Sequence, residues 1–252
     1  MGDGLTVRGR GVTLKGTLGP DEFGFLIKED GLQGWENLPA GRRQAIARVL
    51  SHGEHDVPVK LPGRVITIDG HVIAKSVYDL RRMSHQLRGW GATGDRFPLT
   101  VSLQGESLTS NVRSILRQAT DTGDRGGDFV SAEFQVQLFA ADPRKYAEPV
   151  VYQAPGGTVL VPSEGNFPTY PVIEIPGAPS SYSVSSPGGT FTVTGAPVGG
   201  THRIELASGR VYRNDVWLAG FGRGRLWAIP DGDQWQVSMS APGRVIMRPA
   251  FV

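Results

Sequence analysis

Trp227 and Trp235 flank Asp231 and Asp233 in the run Trp-Ala-Ile-Pro-Asp-Gly-Asp-Gln-Trp. Indole faces that stack and carboxylates that accept hydroxyl hydrogens are the groups a sugar ring requires, so these four residues form a candidate glycan contact. The same run also reads as two core tryptophans on strands joined by an Asp-Gly-Asp hairpin. His52-Gly-Glu-His-Asp56 gathers imidazoles and carboxylates that a divalent ion would accept. Ser51, Gly53 and Pro58 around it describe a solvated surface loop, and no metal is expected there. Asp121, Asp124 and Asp128 are interrupted by Gly123, Gly126 and Gly127 without the calcium-loop spacing, which reads as a turn between strands.

Other chemistries lack an anchor. Cysteine is absent, which removes disulfides, thiolate metal sites and thiol nucleophiles. No phosphate loop, Gly-x-Ser-x-Gly elbow or His-Glu-x-x-His pair occurs. No pair of carboxylates stands out as the acid and base of a glycosidase. The chain is therefore read as a non-enzyme with no cofactor and no small-molecule substrate. Arg8-Gly-Arg10 and Gly220-Phe-Gly-Arg-Gly-Arg225 have phosphate-contacting types, yet 26 basic against 24 acidic residues leave no electropositive face for nucleic acid. No run of apolar residues has the length of a signal peptide or a membrane span, so synthesis as a soluble protein inside a cell is expected.

What must position these residues is mainly β structure. Glycine (35) and proline (18) are in excess in a chain of 252 residues, which favours turn-rich sheets over a helix bundle. Ser131–Ala140 alternates, with Phe134, Val136, Leu138 and Ala140 on one face, and it stops at Asp142-Pro143. Arg64–Asp69 and His71–Lys75 read as a hairpin turning at Asp69-Gly70. Leu80, Met83, Leu87 and Trp90 predict a helix with Arg81, Arg82 and Arg88 on its wet face. Residues 107–119 suit a helix capped by Ser107, and a strand through Val112–Leu116 suits them nearly as well; residues 36–50 stay open. From Pro149 onward prolines recur, and short strands are predicted at 190–194, 202–206, 210–213, 225–229, 234–239 and 243–248. Two domains are expected, 1–148 and 149–252.

Two motifs bracket that boundary. Asp142-Pro-Arg144-Lys-Tyr146 closes the alternating strand, and Gly165-Asn166 leads through Pro171 to Val-Ile-Glu-Ile-Pro-Gly177. In this order the pair resembles the distal tail protein of long-tailed bacteriophages. Leu61–Val72 is similar to that family's Gly-Arg-x-Ile hairpin, and Trp235 with Ala241–Ile246 to its closing Trp and Pro-Gly-x-Asn-x-Ile. Arg244 and Glu205-Leu206 depart from the pattern, which often has Asn and Asp-Thr there.

The resemblance implies a mainly β fold of two domains. The first would be a ring-forming barrel or sandwich with one or two short helices, the second a galectin-like β-sandwich. It implies a homo-hexameric ring at the virion tail tip, made in the host cytoplasm. The ring would join tail tube and tape measure proteins to the baseplate hub and to receptor-binding or fibre proteins. Read as structure, Asp142 and Pro143 end a strand, Tyr146 packs, and Gly165, Asn166 and Gly177 take turn conformations.

Overall fold

The computed structural model describes residues 4–38, 40–42, 46–121 and 128–252. The chain divides into two compact units, Met1–Lys145 and Tyr146–Val252. The first holds β1 (Thr6–Gly9), β2 (Val12–Lys15), β3 (Gly24–Gln33), β4 (Arg64–Ala74), β5 (Phe97–Leu103), β6 (Glu106–Asp121) and β7 (Val130–Ala140). They pair in the order β6-β5-β1-β2-β3-β4-β7, and β6 pairs again with β7, which closes a seven-stranded barrel. Closure removes free sheet edges and lets alternate residues fill the interior. Phe134, Val136, Leu138 and Ala140 of β7 are all buried, the face that the alternation marked.

Two expectations change. Asp69-Gly70 is no turn: β4 runs straight through it, paired with β7 from Arg64 opposite Ala140 to Ala74 opposite Val130. Glycine supplies room here, because a Cβ on Gly70 would strike the Leu26 carbonyl and the Phe134 ring. Residues 107–119 are strand, with Leu108, Ser110, Val112 and Ser114 pointing inward. The two serines hide the apolar period, and a register shift between Ser114 and Leu116 resets the phase.

The helix predicted from Leu80, Met83 and Leu87 is α1 (Val77–Gly89). Ser76 caps it by accepting the Asp79 amide at 3.1 Å, and Leu80 and Leu87 are buried. Trp90 ends the helix, and its Nε1 donates to the Gly9 carbonyl at 2.7 Å, which ties α1 to β1. Among the described residues α1 is the one helix. Residues 34–63 form a long excursion folded back on itself, with bridges pairing Arg42 with Lys60 and Ala47 with Glu54. Among the described residues of 36–50 no helix is formed; 39 and 43–45 lie outside the described residues.

β8 (Lys145–Tyr146) straddles the division. The second unit continues with β9 (Val150–Ala154), β10 (Thr158–Pro162), β11 (Val172–Pro176), β12 (Tyr182–Ser186), β13 (Gly189–Val193) and β14 (Thr201–Glu205). It ends with β15 (Arg210–Arg213), β16 (Val216–Leu218), β17 (Gly222–Gly224), β18 (Gln234–Met239), β19 (Gly243–Met247) and β20 (Ala250–Phe251). One sheet has the order β10-β18-β12-β13-β17 and the other β16-β15-β14-β11-β19-β9. Val184, Phe191, Val193 and Val237 of the first meet Ile173, Ile175, Ile204 and Val245 of the second in one core, so the unit is a sandwich. The strand expected at 225–229 is absent; Ile229 makes only a bridge to Thr169, and Pro230 cannot donate to a ladder.

Candidate functional site

The two motifs turn out to be joints. Asp142 accepts from the Arg144 amide at 3.1 Å and from its guanidinium at 2.7 and 2.9 Å, so Asp-Pro-Arg is a self-braced corner after β7. Tyr146 lies under the Arg248 guanidinium, 5.5 Å from ring centroid to cation. Next to it, Ala147 donates to the Pro249 carbonyl at 3.0 Å and accepts from Arg248 Nε at 3.1 Å.

The second motif reaches the same closing segment. Asn166 Oδ1 accepts the Val252 amide at 2.8 Å, Thr169 Oγ1 accepts the Ala250 amide at 3.2 Å, and Phe167 bridges Ala250. A Cβ on Gly165 would collide with the Ala250 carbonyl, so this glycine serves close approach, not a positive φ. Gly177 does have φ +61° with open space around it, as a turn glycine should. Pro171 is buried and its carbonyl accepts the Leu206 amide at 3.4 Å. Residues 248–252 are thus met by Tyr146 from the first motif and by Asn166, Phe167 and Thr169 from the second, a link that spacing along the chain does not reveal.

The tryptophan pair is packed inside. Trp227 is 3% exposed and Trp235 half-buried, with ring centroids 6.3 Å apart. The Gly188 backbone covers them: a Cβ there would come within 2.7 Å of the Trp235 ring. Asp231 and Asp233 are exposed on the turn before β18. His52–Asp56 sits at the exposed tip of the 34–63 excursion, and among the described residues no group of three or more ligating side chains gathers. Asp121 and Asp128 are exposed, whereas Asp124 lies outside the described residues. Among the described residues no helix is long and apolar enough to cross a membrane.

Three features escaped the sequence reading. Arg64, 1% exposed, ends the inward row of β4 and donates through Nη1 to the Trp35 carbonyl, while Lys145 Nζ lies 5.4 Å from the Trp35 ring centroid and 3.4 Å from Glu36. Burial pushes the Lys145 ammonium below its ordinary range, and Glu36 pulls it back. Second, the excursion displays Val49 and Leu50, 94% and 98% exposed. Its signal in sequence is length: some 30 residues between two strands are too many for an ordinary connection. Third, a cleft of about 340 Å³ is lined by Arg81, Ser84, His85, Arg88 and Asp121. Among the described residues that line it, Asp121 is the one carboxylate.

No protein-family model matches the chain, and no curated protein matches it in sequence. Solved structures do. The Dit (gp 19.1) protein of phage SPP1 matches with a TM-score of 0.73 at 15% identity, over 98% of this chain and 99% of that one. Its structure is described as a paradigm of the hub adsorption apparatus in phages infecting Gram-positive hosts. A chain of the phage p2 baseplate, in its activated conformation with strontium, matches with a TM-score of 0.52 at 10% identity and coverage of 98% and 99%. At these identities it is the fold that is shared.

Proposed function

We propose that the chain is a distal tail protein, a structural adaptor at the tip of a bacteriophage tail that works by shape and contact and catalyses nothing. One observation carries this reading: the end-to-end likeness of fold to the SPP1 Dit protein, through barrel and sandwich alike. In this reading six copies form a ring through the barrel unit, and the second unit is a galectin-like sandwich. The ring joins tail tube and tape measure proteins above to the baseplate hub and receptor-binding or fibre proteins below. Its place is the virion, after synthesis in the host cytoplasm.

The physics of the first unit supports a ring. A cyclic assembly needs two unlike surfaces on each copy, one offered and one receiving. The closed barrel leaves its seven strands no edge to lend, so sheet extension is not the means. The 34–63 excursion is the surface on offer, because among the described residues Val49 and Leu50 stand 94% and 98% exposed. A receiving surface exists on the same unit: an apolar recess of about 80 Å³ over Leu5, Leu32, Trp35, Val101 and Leu103, with Glu29 and Glu36 at its rim. Arg48 beside the tip has the charge to match that rim.

Mass photometry of the purified protein tests the reading. Particles of six times 27.1 kDa, appearing as protein concentration rises or on mixing with tail components, are expected. A chain that stays monomeric with every tail component, and is missing from six-fold density in cryo-electron microscopy of the particle, would overturn it.

A further inference from the structure

On the outer face of the six-stranded sheet one row of side chains stands in register. Antiparallel pairing sets Trp217 opposite Tyr212, Tyr212 opposite Arg203, Arg203 opposite Glu174, Glu174 opposite Arg244 and Arg244 opposite Gln153. Directly opposed residues share a face, and their alternates Val211, Ile204, Ile173 and Val245 belong to the core, so the row points away from it.

The row is braced. The Arg203 guanidinium lies 4.8 Å from the Tyr212 ring centroid, and Arg210 lies 5.3 Å from that of Trp217. Glu174 accepts from Arg244 at 2.7 and 2.5 Å, and Arg203 Nη2 lies 3.6 Å from Glu205 and 3.5 Å from Asp215. Arg203 Nε is buried without a hydrogen-bond partner, while Trp217 is 56% exposed.

We propose that this face binds a neutral glycan chain, a function separate from the mechanical role above. The exposed Trp217 indole, flanked by the half-buried Tyr212, offers flat apolar surface to the C–H side of a hexose ring. Guanidinium forks and carboxylates in the same row can donate to and accept from sugar hydroxyls. Charge decides against an ionic ligand: Arg203 pairs with Glu205 and Asp215, Arg244 pairs with Glu174, and Arg210 stands opposite Glu205 in the ladder, so three cations face three anions and leave little net field to draw an ion. Side chains already held by one another lose little freedom on binding. Six strands spaced about 4.8 Å apart make a platform about 24 Å long, which suits several linked sugars better than one.

The test places the full chain on an array of neutral oligosaccharides of glucose, galactose, rhamnose and N-acetylhexosamines, with poly(glycerol phosphate) and heparin as anionic comparators. Binding to at least one neutral chain is expected, weakened about tenfold or more by Trp217→Ala. Glu174→Gln should weaken it too, while Leu160→Ala, exposed on β10 of the other sheet, should not. Melting temperature and particle mass are expected to stay unchanged in all three variants, which separates this proposal from the ring. Recognition of the anionic polymers alone, binding indifferent to Trp217→Ala, or no neutral chain bound at all would overturn it.

Discussion

Gly165 and Gly177 are the same residue type put to different physical uses, and substitution separates them. At Gly177 a side chain meets nothing but must adopt φ +61°, so Gly177→Ala should cost about 1–2 kcal/mol, and Gly177→Asn less. Gly165 has an ordinary φ, but its Cβ would drive into the Ala250 carbonyl, so Gly165→Ala should cost about 3 kcal/mol or more. Urea denaturation checks both; equal losses would mean that one of the two assignments is wrong. His202 gives a pH prediction. It is fully buried, with Nδ1 3.1 Å from the Tyr182 hydroxyl and Nε2 3.0 Å from the Pro197 carbonyl, an arrangement that suits neutral imidazole. Burial pushes its pKa below the ordinary 6.5, against the pull of the Pro197 carbonyl and with a smaller push from Arg213. The unfolded chain therefore takes up a proton that the folded one refuses. The stability this gives is complete above about pH 6.5 and is lost as pH falls, by up to about 1.4 kcal/mol per pH unit. Denaturation at pH 7.5, 6.5 and 5.5 should show wild type losing more than His202→Gln; parallel losses would remove His202 from the account.

Among the elements, the 34–63 excursion and β6 show two kinds of hidden information. Past Trp35, which is buried beside Arg64 and Lys145, the excursion has no helical or strand period, because its bridges pair it with itself and the apolar residues of its tip find no core. If its tip is the surface that one copy offers to the next, Val49→Asp with Leu50→Asp should shift folding stability by no more than about 0.5 kcal/mol, since nothing packs there. The same variant should fail to form rings in mass photometry. Intact rings would move the interface elsewhere. β6 was ambiguous for a different reason. Its inward positions hold Ser110 and Ser114 beside Leu108 and Val112, and its bulge breaks the alternation, so local pattern alone favours neither state. Tertiary pairing with β5 and β7 decides it.

For the whole molecule, what the sequence by itself determined was class: β-rich from its turns and alternation, without thiol chemistry, without a recognisable catalytic constellation, and similar in two motifs to a tail-tip family. The strand over 130–140 and the helix after Ser76 were legible because each buries one face against a continuous neighbour, which writes the period into the sequence. The tertiary structure alone decided that Asp69-Gly70 runs straight, since the need was space for Phe134 and not a turn. It also decided that Tyr146 and Asn166 meet one closing segment, and that Trp217, not the covered Trp227, offers its ring to solvent. These outcomes depend on register between strands that are far apart in the chain. A one-residue slip would turn every such side chain to the opposite face, and local sequence carries no record of that choice.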